Sequence, residues 1–127
     1  MTAEREVRAL RGATTVARDS PDAIIDATAE LLRELIARNA LVLDDLISLV
    51  FTATPDLTAE FPAVAARGLG ISDVALLSAQ EIAVPGSLPR CIRVLAHCYS
   101  TRPRADLHHV YLGDARELRT DLLKGEG

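Results

Sequence analysis

The chain has 127 residues, 49% of them hydrophobic and 25% charged. That is enough for one packed core and too little for two ordinary domains, so residues 1–127 are expected to form a single domain. A net charge of −4 argues against a nucleic-acid partner, because the field of the whole chain repels phosphates, and no apolar run approaches the length of a membrane span. The opening MTAEREVRAL has no apolar stretch ahead of a small-residue cleavage site, so a cytoplasmic, soluble protein is expected.

Val7 to Val16 (VRALRGATTV) carries a period-2 alternation that its β-branched residues strengthen, and predicts a first strand. Ser20-Pro21-Asp22 then reads as a helix start, with a hydroxyl at the N-cap, proline in the first turn and an acid beside it. Ile24, Thr28, Leu31, Leu32 and Leu35 share one stripe of the helix that follows, over about 21–39. Leu46 to Thr54 (LISLVFTAT) is almost wholly apolar and predicts a strand buried on both faces, ended by Pro55. Glu60 to Gly68 predicts a short second helix, stopped by Gly68 or Gly70. Val74 to Ala79, Cys91 to Ser100 (CIRVLAHCYS) and His109 to Leu112 predict three more strands, and the tail after Asp121 is expected to be flexible.

The expected order is therefore β-α-β-α-β-β-β, an α+β fold with a mixed sheet and two main helices on one face. Two helices cannot cover both faces of five strands, yet the strands are apolar on both sides. An open apolar face of that size predicts a homo-oligomer.

The usual catalytic signatures are absent from the sequence. Cys91, Cys98, His97, His108 and His109 have no zinc-type spacing, so no metal is expected, and the two cysteines on one strand read as free thiols. There is no G-x-S-x-G elbow, and RGATT and RGLGIS hold isolated glycines rather than a phosphate or dinucleotide loop. What remains is an excess of arginine, thirteen against the single Lys124. A GC-rich genome is one source of that excess, but arginine also stays charged when partly desolvated and grips carboxylates with two donors.

A few polar residues stand where structure alone has little use for them: Arg11 beside Gly12, Arg93 between Ile92 and Val94, Glu81 at a strand end, Tyr111 in HVYL. Each has an ordinary explanation. A mid-strand arginine commonly faces solvent, Arg67 at a helix end answers the helix dipole, and a tyrosine often packs with its hydroxyl at the surface.

Taken together and in order, RGATT (11–15), TPDL (54–57), FPAVAAR (61–67), QE (80–81), GSLPRCIRV (86–94) and HVYL (109–112) resemble the AroH-type monofunctional chorismate mutases of bacteria, over about residues 7–121. The resemblance implies the Claisen rearrangement of chorismate to prephenate, in phenylalanine and tyrosine biosynthesis, with no cofactor. It implies a homotrimer whose sheets pack into a pseudo-α/β-barrel, with sites in the clefts between subunits. By motif, Arg93 would be the cation at the breaking ether oxygen. Arg11 and Tyr111 would bind the side-chain carboxylate region, and Glu81 would accept from the ring hydroxyl. Phe61 and Arg67 would come from the neighbouring subunit, Arg119 would help close the site, and Leu77 and Ser78 would line it. Family members can carry cysteine at the Ser78 position and lysine at the Val64 position; serine still hydrogen-bonds, but valine supplies no charge.

Two other readings stay open at this level. Imine deaminases are trimers of similar architecture with interfacial arginines, and fold likeness alone does not separate them. A non-catalytic domain that binds an aromatic-pathway metabolite is the second; the presence of the full charged set speaks against degeneration.

Overall fold

The computed structural model describes residues 4–118, so Arg119 and the tail from about 121 lie outside the described residues. Five strands, β1 (Glu6–Thr15), β2 (Leu46–Ala53), β3 (Ala75–Gln80), β4 (Cys91–Ser100) and β5 (Val110–Tyr111), and two helices, α1 (Pro21–Arg38) and α2 (Ala63–Gly68), carry the architecture. The strands form one mixed sheet in the order β3-β2-β4-β1-β5. Central β4 runs antiparallel to β1 and β2 on either side, and the outer pairs β1–β5 and β2–β3 are parallel.

Local chemistry sets α1 as the sequence reads it. Ser20 caps the helix by accepting the Ala23 N–H at 3.1 Å, and Pro21 opens the first turn. The stripe Ile24, Leu31, Leu32, Leu35 is buried, and the buried Thr28 hydroxyl is satisfied by donating to the Ile24 carbonyl at 2.7 Å. At the other end Asn39, 2% exposed, donates to the Leu35 and His108 carbonyls and accepts the His108 N–H. One side chain thereby ties the end of α1 to the approach to β5.

Both helices pack on the same sheet face, where Leu10, Leu49, Phe51, Val94, Ala96 and Cys98 meet Leu31, Leu35, Ala63 and Ala66. Gly12 shows how close this approach is. A Cβ there would sit 3.0 Å from Val94 Cγ1 and 3.1 Å from Leu31 Cδ1, so α1 rests directly on the β1 backbone. Gly113 is needed for a different reason: its φ is +57°, and a Cβ would lie 2.6 Å from Thr15 Oγ1. That hydroxyl accepts the Asp114 N–H at 3.0 Å and turns the chain after β5.

The structure revises several boundaries. Residues 60–62 precede α2 rather than belonging to it: Pro62 is the N-cap, and the residue before a proline is driven out of helical conformation. β5 is two residues long because it pairs only with Gly12 and Ala13; its predicted first residue, His109, instead uses Nδ1 to accept the Arg11 N–H at 2.9 Å. β2 is buried fully on one face only. Leu49 and Phe51 face the helices and are buried, whereas Ser48, Val50 and Thr52 on the other face are half-buried. Short 3-10 turns at Leu43–Asp45, Arg104–Asp106 and Gly113–Ala115 are additions that the sequence reading lacked. Cys91 and Cys98 are free and buried on opposite faces of β4.

Candidate active site

Strand alternation and register build the site on the face away from the helices. Thr52 pairs with Arg93, Arg93 with Ala13, and Ala13 with Tyr111, so these four side chains form one row across β2, β4, β1 and β5. One pleat along, Leu77, Val50, Leu95 and Arg11 form the parallel row. The intervening row, Ser78, Phe51, Val94 and Gly12, points to the helices. Arg11, Val50, Thr52, Arg93, Tyr111 and Leu118 line a cavity of about 510 Å³, a size suited to a small organic ligand.

Glu81 follows β3 and is held by its own backbone, whose N–H donates to the Ala53 carbonyl at 2.9 Å. Its carboxylate meets Arg93 through a single nitrogen: Nε donates to Oε2 at 2.9 Å and to Oε1 at 3.1 Å. The Glu81 side chain is 17% exposed and that of Arg93 43%. Among the described residues neither Nη of Arg93 makes a hydrogen bond, so the pair leaves the outer edge of the guanidinium for a ligand. Thr52 completes the group, its hydroxyl donating to Glu81 Oε2 at 2.8 Å.

His109 marks the rim of this face. Accepting the Arg11 N–H at Nδ1 requires a neutral ring with its proton on Nε2. Burial lowers its pKa from the usual histidine value, and the Arg11 charge lowers it further. Cys91 lies beneath the site with Ala13 and Ala115, and burial pushes its thiol up to about 11. It is therefore an inert packing group at neutral pH. Among the described residues no three His, Cys, Asp or Glu side chains gather as metal ligands would.

Of the residues expected from the sequence, Arg93, Glu81, Arg11 and Tyr111 come together here. Phe61 and Ser78 do not line this cavity within one chain. They share a second cavity of about 370 Å³ with Glu60, Ala79 and Gln80. Phe61 is 67% exposed and Leu77 60%. Arg67 is exposed in the last turn of α2, and Val64 is half-buried. The Ser78 hydroxyl oxygen is buried without a hydrogen-bond partner. Arg119 lies outside the described residues. Sequence reasoning missed Thr52, Val50 and Leu118; nothing marks Thr52 until the register sets it beside Arg93.

Residues 7–122 match the family model of chorismate mutase type I. The chain is 50% identical to chorismate mutase AroH of Thermus thermophilus over 117 residues, which cover 91% of this chain and 96% of that protein. It is 41% identical to chorismate mutase AroH of Bacillus subtilis over 91% of this chain and 92% of that one. A solved chorismate mutase from Clostridium thermocellum superposes with a TM-score of 0.86 at 47% identity, covering 87% of this chain and 98% of its own. Arg11, Glu81, Arg93 and Tyr111 thus stand together on a fold shared with proteins of one named activity, and the chain belongs to the chorismate mutase type I family.

Proposed function

We propose that the chain, acting as one domain in a cytoplasmic homotrimer, rearranges chorismate to prephenate on the way to phenylalanine and tyrosine. A pericyclic reaction asks for no nucleophile and no proton transfer. The protein must hold a flexible dicarboxylate in its compact reactive conformer and stabilise the charge that separates as the ether C–O bond breaks. The observation that carries the reading is the one-nitrogen contact between Arg93 and Glu81, which fixes the guanidinium while leaving both Nη groups available.

Arg93 donates to the ether oxygen, where negative charge grows. A fixed cation contributes more there in the transition state than in the ground state, and arginine cannot discharge itself by losing its proton. Glu81 accepts from the ring hydroxyl and lies near the positive charge developing on the ring. Arg11 and Tyr111 hold the side-chain carboxylate.

Phe61 and Arg67 enter from the neighbouring subunit, with Phe61 packed on the ring, and Leu77 and Ser78 line the pocket. Two features of the single chain support this division: Phe61 and Ser78 share a cavity separate from that of Arg93, and Leu77, Leu95 and Tyr99 leave apolar surface open on the face without helices. Three such sheets packed face to face make the pseudo-α/β-barrel and bury that surface. Val64 supplies no cation to the cleft; Arg119, which by its motif would help close the site, lies outside the described residues.

The test is the loss of chorismate absorbance with purified protein in EDTA, with no added metal or cofactor, alongside the mass in solution. Saturable conversion by a trimer is the expected result. A flat trace from a folded trimer would overturn the reading, and activity in an isolated monomer would overturn the shared cleft.

A further inference from the structure

Besides Arg93, the Glu81 carboxylate has a second partner that the proposed chemistry does not use, the Thr52 hydroxyl. We infer that Thr52 is a positioning residue: its hydroxyl sets the orientation of Glu81 and, through it, keeps the outer edge of Arg93 clear for the ether oxygen. The inference rests on the roles proposed above for Glu81 and Arg93.

The geometry argues it in three steps. First, Thr52 stands on β2, with β3 on one side and β4 on the other, directly opposite Arg93 and next to the strand end that carries Glu81. A β-branched side chain on an interior strand has few rotamers, so its hydroxyl is a rigid donor. Second, the lone pairs of Glu81 are divided unequally. Oε2 accepts from Thr52 at 2.8 Å and from Arg93 Nε at 2.9 Å, while Oε1 accepts only the longer 3.1 Å contact from the same Nε. A carboxylate oxygen has about two good acceptor directions, so Oε2 is filled and Oε1 keeps one direction open for a ligand hydroxyl.

Third, carboxylate and guanidinium ordinarily prefer a two-point contact along one edge of the fork. The contact here is made by Nε alone. A donor that holds Oε2 on the β2 side opposes rotation of the carboxylate onto an Nη. Without it, Glu81 is free to turn and occupy the donor that the transition state needs. Thr52 also lines the cavity itself, which places this hydroxyl beside the reacting region rather than in a remote support.

The experiment is steady-state kinetics of T52V, T52S, E81Q and T52V/E81Q, with thermal melts confirming that each is folded. Valine keeps the shape and removes the donor. The expected result is a fall in kcat of about tenfold for T52V, with KM changed by less than about threefold. T52S should recover most of that loss, and T52V should cost little further once Glu81 is already Gln. Equal losses in T52V and T52S would mean that the methyl matters and not the hydroxyl, which overturns the inference. So would a T52V penalty that persists in full on the E81Q background, or wild-type kcat in T52V while E81Q is impaired. Wild-type turnover in E81Q would instead bring down the role of Glu81, and the inference with it.

Discussion

The two faces of the sheet are made by alternate residues of the same strands, and they are chemically opposite. On the helix face Leu10, Leu49, Phe51, Val94 and Ala96 are buried, and the approach is so close that a Cβ at Gly12 would press on Val94 and Leu31. On the other face Arg11, Arg93, Thr52 and Tyr111 surround open space, with Glu81 tied in from a strand end. The first face closes on itself and supplies stability. The second is left open: Arg93 is 43% exposed there and a cavity stands over it. Placing both on one rigid sheet lets the first hold the geometry of the second, since a one-residue shift in register would exchange them.

This contrast can be broken from either side. Phe51→Ala, at 0% exposure in β2, should give the largest effect, about 3–5 kcal/mol of stability. Chemical denaturation reads it as a lower midpoint, while kcat per folded molecule stays near wild type. Loss of kcat at unchanged stability would mean that the helix face shapes the chemistry directly. Arg93→Ala should do the reverse, raising the barrier by about 3–4 kcal/mol, the scale of losing a preorganised donor. In steady-state kinetics kcat should fall a hundredfold to a thousandfold while the melting curve moves little; near-normal turnover would remove Arg93 from its role.

The smallest effect lies at the rim, where His109 accepts the Arg11 N–H. Its pKa is lowered by folding, so below 6.5 the unfolded chain binds a proton that the folded chain resists. Stability therefore falls as pH drops through that value. Because His109 is still exposed, the change is modest, a Tm difference of about 1–3 °C between pH 7.5 and 5.5. His109→Gln should remove that portion of the pH dependence, and an unaltered dependence would show that another group causes it.

Much of this was legible before any coordinates. The ends of α1 follow from Ser20, Pro21 and the leucine stripe, and β4 runs over Cys91–Ser100 as its alternation predicts, because caps and periodicity are local. The start of α2 was misjudged because Pro62 acts on the residue before it, and β5 because the side chain of His109 replaced a ladder hydrogen bond. Arg11, Glu81, Arg93 and Tyr111 stood out one by one as polar residues in or beside apolar segments, but only resemblance to a family joined them into a site: they lie up to a hundred residues apart and no local pattern links them.

By itself, then, the amino-acid sequence determined the strands and helices, the apolar stripe that faces inward and the family to which the chain belongs. These depend on neighbours within a few positions or on motifs in order. Only the tertiary structure decided which residues share a row. Strand register is a long-range property, set by the fit of whole faces, and it alone places Thr52 opposite Arg93 and beside Glu81. It also turns Ser78 away from the row of Arg93 and onto the face of Phe51, because the direction of each strand side chain follows from the pleat and not from distance along the chain.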